Sequence, residues 1–590
     1  MTDLIDYSSK KIAFYAGLCV LFLFLTAKLF YLQVYKSKRY LSYSEKNRVR
    51  RYVLQPHRGL IFDRQGKILV DNYPAYSLSV IPFECTQSDS CLSVLAGILQ
   101  GSEDSLKTRM QSAENPFVPI RLYRDLDYNR LVQIEERKLE LPGVVYDIEP
   151  RRDYPGMIRA PHILGYIGEA TQTELVTRKQ EGLRLGDLVG KTGIEKVYDE
   201  LLRGKVGYDF VEVDAFGREV RDIKVAGEKP AQRGADIYLS IDHRLQRQTE
   251  ALFKNTTGGA ALVDVTNGEV LVLCSKPDYD PNLFSKIVTH EAWQKIINNE
   301  EKPLYDRMIK SIYPPGSTFK LILAAAALET KAITPSYSVY CPGFYRLGRR
   351  YFDCWNPEGH GTMDISSAIQ HSCNTYFYDI SLKVDVDVWA DMAKKFGFGR
   401  KTGIDLVGEN SGLVPDRHYM NKVYGENKWT KGMLLNLGIG QGDLLTTPIQ
   451  MAQLAMILAN KGTWYQLHLL HKVFNSGNGR TVHSQPVVKT LSGVSERTFD
   501  IIRRGMYKAV NEEGGTGLAS NCAFVRVAGK TGTAQNPHGD SHAWFIGFAP
   551  YEAPQIAICV FVENGGSGGA IAAPVARRMI KHYFELYSDN

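Results

Sequence analysis

Ser311-Ile312-Tyr313-Pro314-Pro315-Gly316-Ser317-Thr318-Phe319-Lys320 is the stretch on which the reading of the chain turns. Pro314, Pro315 and Gly316 do not belong in a helix interior, whereas Thr318 to Glu329 reads as a buried helix. Ser317 therefore sits at a predicted helix N-terminus, and Lys320, three residues on, shares its face. A serine hydroxyl becomes a nucleophile when a base takes its proton. A lysine amine can be that base once burial or a second cation lowers its pKa. The helix start adds free N–H groups and partial positive charge, which suit an oxyanion. The spacing alone is common: Ser8 and Lys11 repeat it near the N-terminus with nothing catalytic around them.

Two later stretches give it weight. Ser372-Cys373-Asn374 lies in Ala-Ile-Gln-His-Ser-Cys-Asn-Thr-Tyr-Phe-Tyr, and Lys530-Thr531-Gly532-Thr533 follows an alternating run, Phe524 to Ala528, that predicts a strand. Ser-x-x-Lys, Ser-x-Asn and Lys-Thr-Gly, in that order, form the signature of the penicillin-binding and serine β-lactamase group of acyl-serine enzymes. A second Lys-Thr-Gly, at Gly190-Lys191-Thr192-Gly193, precedes the nucleophile and opens a helical pattern, so it reads as structural. Neither copy is a phosphate-binding loop, because the required first glycine is Leu185 in one and Phe524 in the other.

The 590 residues, 44% hydrophobic and 23% charged, suffice for more than one domain. A net charge of +7 is mild at this length and gives no ground for nucleic-acid binding. Lys10 and Lys11 precede an apolar stretch, Ile12 to Val34, long enough for one bilayer crossing at about 20 residues, with Lys28 near one end. Small residues at cleavage-site spacing are missing around Leu25, Thr26 and Ala27, which favours an uncleaved anchor over a signal peptide. Lys36, Lys38, Arg39, Lys46, Arg48, Arg50 and Arg51 outnumber the lysines before the span, and the positive-inside rule taken alone would place the large domain inside. Long domains translocate regardless of charge.

From Tyr35 to about Ser240 the chain alternates short β-like runs, charged helices and Gly/Pro turns. Residues 57 to 70 read as strand, turn, strand, with Arg58, Asp63 and Arg64 as candidate buried ion partners. No nucleophile and base occur together there, which suggests a pedestal or docking module. A second domain opens near Ile241: residues 258 to 273 are two strands about an Asn267-Gly268 turn. Ala543 to Ala549 and Gln555 to Val562 are expected to pair beside the Lys530 strand, and Ile571 to Tyr587 to close the domain as a helix. The predicted class is α+β, an antiparallel sheet with helices on both sides.

Nine cysteines are many for an oxidising compartment, and Cys341, Cys354 and Cys373 cluster in the segment that follows the nucleophile helix. Asp353 and His360 lie among them. Thiolate, imidazole and carboxylate are zinc ligands, and a loop pinned by zinc would present Ser372 and Asn374 rigidly, although the spacing matches no simple finger. Cys85 and Cys91 are either bridged or free.

The whole chain resembles the class B penicillin-binding proteins, membrane-anchored D,D-transpeptidases of peptidoglycan. The likeness rests on the anchor, Arg58-Gly59, Asp63-Arg64, Gly190-x-x-Gly193-x-Glu195, the three catalytic motifs, and Gly440-Gln441-Gly442 with Thr447-Pro448. The resemblance implies a cytoplasmic tail (1–11), an anchor (12–34), a pedestal or dimerisation-type domain (35–240) and a transpeptidase domain (241–590), with the bulk periplasmic and the anchor in the inner membrane. It implies Ser317 as nucleophile, Lys320 as base, Ser372 as proton relay, Asn374 as holder of the donor amide and Lys530 as a source of positive potential. Thr531 and Thr533 would bind the substrate carboxylate, and Gly532 would leave room for a substrate strand. The backbone N–H groups of Ser317 and Thr533 would form the oxyanion hole. The elongation-type subgroup, penicillin-binding protein 2, implies a structural zinc held by Cys341, Asp353, His360 and Cys373, where Cys341 replaces a family aspartate and Cys354 is the alternative ligand. No cofactor is expected for catalysis. β-Lactams would acylate Ser317, and a RodA-like glycosyltransferase is the expected partner. The same motifs also suit a β-lactamase, a β-lactam sensor or a D,D-carboxypeptidase.

Overall fold

A computed structural model describes residues 3–37, 49–88, 90–111, 116, 119–183, 186–213, 219–222, 229–285, 288, 290–426 and 428–587. Lys38, Arg39, Lys46 and Arg48, which entered the topology argument, lie outside the described residues. Packing divides the chain into two units that interleave in sequence: Met1–Pro56, Ala75–Glu149 and Lys205–Gln232 in the first, His57–Pro74, Pro150–Gly204 and Arg233–Asn590 in the second.

In the first unit, helix Asp3–Phe30 continues into a π-helical segment, Tyr31–Tyr35. Lys10–Tyr35, 26 residues containing an 18-residue stretch of mean hydropathy 2.1, is long and apolar enough to cross a membrane. Strand Val49–Leu54 pairs antiparallel with Gly207–Val213. A separate small core forms where Leu78, Val80, Leu95, Ile98, Leu122, Leu126 and Ile134 meet. The Cys85–Cys91 disulfide sits in that core.

The second unit is built on a five-stranded antiparallel sheet in the order Val270–Lys276, Gly258–Asp264, Ile556–Val562, His542–Ala549, Ala528–Ala534. The period-two pattern of a strand buries alternate residues on opposite faces. Ala260, Leu262, Ile558 and Val560 face one core with Met579, Ile580 and Phe584 of the closing helix Ala573–Tyr587. Ala261, Val263, Cys559 and Phe561 face the other, with the nucleophile helix Lys320–Glu329 and helix Pro448–Ala459. Helices therefore cover both faces, as α+β patterning requires. Thr447 caps Pro448–Ala459 with a capping box to Gln450, and its side chains are buried all round. Gly268 takes φ +84° at the expected hairpin turn.

Arg58, in this unit, is a buried ion partner as the sequence suggests. Its guanidinium meets Glu195 at 2.5 Å and Asp199 at 2.8 Å, while Arg152 reaches the other Glu195 oxygen at 2.7 Å. Asp63 is fully buried and paired with His243 Nδ1 at 2.6 Å. Gly190 donates its N–H to Asp199. The early Gly-Lys-Thr-Gly thus belongs to a packed ion-pair corner.

Candidate active site

The nucleophile turn Gly316–Phe319 is a single 3₁₀ turn that runs into Lys320–Glu329. Gly316 takes φ +56° and donates its N–H to the Gly440 carbonyl at 2.9 Å. Gly440, at φ +78°, has no space for a side chain because the Gly316 carbonyl lies against its Cα. Tyr313 exchanges two backbone hydrogen bonds with Thr446, both 2.9 Å, and the Trp544 indole donates to the Pro314 carbonyl at 3.1 Å. Ser317 is thereby fixed between the sheet and the Gly440 loop. A Cβ on Gly532 would lie 2.9 Å from the Pro315 carbonyl and 3.0 Å from Thr318. The absence of a side chain at Gly532 thus lets the nucleophile turn pack closely against the edge strand.

The three motifs meet at Ser372. Lys320 Nζ donates to the Ser372 carbonyl at 2.8 Å and to Asn374 Oδ1 at 2.7 Å, and stands 3.4 Å from Ser372 Oγ. Lys530 Nζ donates to Ser372 Oγ at 2.8 Å and to its neighbour's carbonyl, that of Thr531, at 3.0 Å. No hydrogen bond joins Lys320 to Ser317 in this conformation. Ser372 itself takes φ +54°, a left-handed conformation costly for a residue with a side chain. Both lysines are fully buried. Burial holds Lys320 down to about 8, against a smaller opposing pull from the Cys373 and Cys354 sulfurs. Burial and then the charge of Lys320 push Lys530 well below the ordinary lysine range. The repulsion between the two amines is mutual, so a charge on either one disfavours a charge on the other.

Ser317 opens on a cleft of about 1270 Å³. One wall is the edge strand Ala528–Ala534 and its surroundings, with Thr531, Thr533 and Thr516. The other carries Ser372, Asn374 and Tyr351 to Trp355. Thr531 donates its hydroxyl to Thr516 Oγ at 2.8 Å. Sequence reasoning passed over Thr516, because no motif marks it and only long-range packing brings it to the Lys-Thr-Gly strand.

Beside the site, Cys341, Cys354, His360 and Cys373 hold their ligand atoms within 4.8 Å of one another. His360 Nδ1 is 3.6 Å from Cys341 Sγ and 3.5 Å from Cys354 Sγ. This corrects the ligand set expected from the sequence: Asp353 is exposed and outside the group, and Cys354 takes its place. Neighbouring residues of an extended chain point to opposite sides, so only one of the two can turn inward. A hydrogen bond with Cys373 and another from His360 lower the Cys354 thiol, and the same contact raises Cys373. Burial opposes a charged His360, but its bonds to Cys354 and Cys341 raise it overall. Three thiols and one imidazole, all pointing inward, fit the donor set of a closed tetrahedral zinc site.

Two family models match: the penicillin binding protein transpeptidase domain over residues 258–581, and the penicillin-binding protein dimerisation domain over 53–239. The peptidoglycan D,D-transpeptidase MrdA of Acinetobacter baumannii is 32% identical, over 98% of this chain and 88% of that one. The chain belongs to the class B penicillin-binding proteins, in the penicillin-binding protein 2 group. Among solved structures, this penicillin-binding protein is similar to penicillin-binding protein 2 of Helicobacter pylori in complex with MreC. That match has a TM-score of 0.81 and 29% identity, over 92% of this chain and 100% of that one. It is similar also to Pseudomonas aeruginosa PBP2 in complex with WCK 5153, with a TM-score of 0.68 and 32% identity, over 91% of this chain and 97% of that one.

Proposed function

We propose that this penicillin-binding protein is a serine-type D-Ala-D-Ala transpeptidase that cross-links peptidoglycan stem peptides during cell elongation, and that β-lactams acylate the same serine. The observation that carries the reading is the convergence of Lys320 and Lys530 on Ser372, which lines the same cleft as Ser317. Ser317 Oγ attacks the penultimate D-alanine carbonyl and passes its proton to Lys320 Nζ. The Ser372 hydroxyl, within reach of both amines, returns a proton to the leaving amine as the C–N bond breaks and terminal D-alanine departs. An acceptor amine then attacks the ester carbonyl, forms the new amide and restores the Ser317 hydroxyl. Catalytic hydrogen bonds in an empty site are often loose and tighten with substrate, so the open Ser317–Lys320 pair is compatible with this role. Asn374 holds the donor amide, Thr531 and Thr533 take the donor carboxylate, with Thr516 supporting Thr531, and the Ser317 and Thr533 N–H groups form the oxyanion hole.

Zinc, bound by Cys341, Cys354, His360 and Cys373, would supply a structural crosslink rather than reaction chemistry. Cys373 lies between Ser372 and Asn374, so fixing its sulfur fixes both neighbours. The division into an anchor at 12–34, a pedestal at 35–240 and a transpeptidase domain at 241–590 belongs to the same reading. So does placement in the inner membrane with the bulk in the periplasm, where a disulfide such as Cys85–Cys91 persists. A RodA-like glycosyltransferase and an MreC-type scaffold are the proposed partners; the Helicobacter relative supports the second.

Intact-mass analysis with and without penicillin tests the assignment. A long-lived adduct on Ser317, lost in Ser317→Ala, is expected. Rapid hydrolysis of the adduct would mean a β-lactamase, and no adduct would overturn the catalytic reading.

A further inference from the structure

A hairpin with an arginine-rich tip forms part of the cleft wall opposite the Lys-Thr-Gly strand. Strands Phe344–Leu347 and Arg350–Asp353 pair antiparallel, Phe344 with Asp353 and Leu347 with Arg350, about a turn in which Gly348 takes φ +60°. The hairpin's base is tied to the Ser-x-Asn turn: the Asn374 backbone N–H donates to Cys354 Sγ and its side-chain amide to the Asp353 carbonyl, both at 3.3 Å. From that anchor the second strand runs outward along the cleft, and Tyr351, Phe352 and Asp353 line it in succession.

Residues 344–352 hold Arg346, Arg349 and Arg350 and no acidic residue. Arg346 is engaged, donating to the Gly348 carbonyl at 3.0 Å with its guanidinium 5.9 Å from the Tyr351 ring. Arg349 and Arg350 are exposed and have no partner among the described residues. Guanidinium groups on a surface turn are ordinarily just solvated. Here they sit at the hairpin tip next to Tyr351, the first of the hairpin residues that line the cleft, while Thr531 and Thr533 are taken by the donor peptide in the reading above.

We propose that Arg349 and Arg350 recognise a free carboxylate on the acceptor stem peptide, one residue upstream of the residue whose amine attacks the acyl-enzyme. Arg350 stands three residues from Asp353, about 10 Å of extended strand from the Ser-x-Asn turn. That distance is comparable to one extended peptide residue, about 3.5 Å, plus the reach of an amine-bearing side chain. Guanidinium matches carboxylate in charge and in bidentate geometry, and has no comparable complement in a carboxamide. The hairpin therefore discriminates between a stem whose middle residue is a free acid and one in which it is amidated.

The proposal rests on the transpeptidase reading, and one experiment separates the two. Full-length protein in detergent micelles is given a peptide donor ending in D-Ala-D-Ala and acceptor tripeptides that differ only in a middle-residue carboxylate or carboxamide. Acylation by penicillin is followed in parallel. The wild type is expected to show an acceptor KM about five- to tenfold lower for the acid, the fold-change that two partly exposed charge pairs carry. Arg349→Gln/Arg350→Gln should lose that preference while its acylation rate and its KM for the amide stay unchanged. A wild type indifferent to the carboxylate, or a variant weakened equally toward both acceptors, overturns the proposal while penicillin acylation leaves the transpeptidase reading standing. No penicillin adduct on the wild type overturns both. Should the double variant fail to fold, each single variant must show part of the same selective loss, and neither doing so counts against the hairpin.

Discussion

Lys530 Nζ donates a 2.8 Å hydrogen bond to the hydroxyl of Ser372, a residue held at φ +54°. The left-handed backbone aims the hydroxyl at one lysine while the carbonyl faces the other, so the strain and the two amine contacts belong to one arrangement. Ser372→Ala keeps the strain and loses the hydroxyl, whereas Ser372→Gly loses the hydroxyl and the strain together. Both variants should be acylated at least tenfold more slowly by penicillin. Thermal or denaturant melts should find the glycine variant more stable than the alanine variant by about 1 kcal/mol. Equal stabilities would mean that the conformation carries no strain.

The pH dependence of acylation follows from Lys320. Burial holds its pKa at about 8, and only the neutral amine can accept the Ser317 proton. At pH 7 the group lies about one unit below its midpoint and is mostly charged, so the rate should rise about tenfold between pH 7 and a plateau above 8. Stopped-flow acylation with a fluorescent penicillin measures this. A rate flat from pH 6 to 9 would remove Lys320 as the titrating base.

A third prediction concerns the buried ion-pair corner of the same unit. Glu195 is fully buried between Arg58 and Arg152, at 2.5 and 2.7 Å. Glu195→Gln leaves two buried guanidinium groups short of a counter-charge, which should destabilise the fold by about 3–5 kcal/mol. The shift of a urea midpoint reports it. A variant that melts with the wild type would show that Asp199 alone neutralises the pair.

How much of this was legible in the sequence depends on the range of each interaction. The Asn267-Gly268 hairpin, the alternating strands and the Ser317–Lys320 spacing are local patterns, and periodicity reads them directly. Arg152 closing on Glu195, and Thr516 meeting Thr531, depend on packing between distant segments and leave no local signal. The order of the sheet is of the same kind: Gly258–Asp264 lies beside Ile556–Val562 rather than beside strands near it on both sides in sequence. The Pro315 turn packed against Gly532 likewise joins segments distant in sequence. Residue type was sufficient to propose a metal site, but choosing between Asp353 and Cys354 required the direction each side chain takes.

That choice yields the last prediction. Cys354 Sγ lies 3.5 Å from His360 Nδ1 and accepts the Asn374 backbone N–H at 3.3 Å, whereas the Asp353 side chain is exposed. If zinc occupies the cluster, Cys354→Ser removes a thiolate ligand and should lower bound zinc in elemental analysis by at least half, with a fall in melting temperature. Asp353→Asn should change neither. Chelation of the wild type should reproduce the Cys354→Ser melting temperature, because both release the same crosslink. The penicillin acylation rate should fall in step with zinc content, since Cys373 holds Ser372 and Asn374 on either side of it. Zinc lost from Asp353→Asn and kept in Cys354→Ser would return the ligand set to the one the sequence suggested, and stoichiometric zinc in neither the wild type nor the variants would leave the cluster a set of buried thiols.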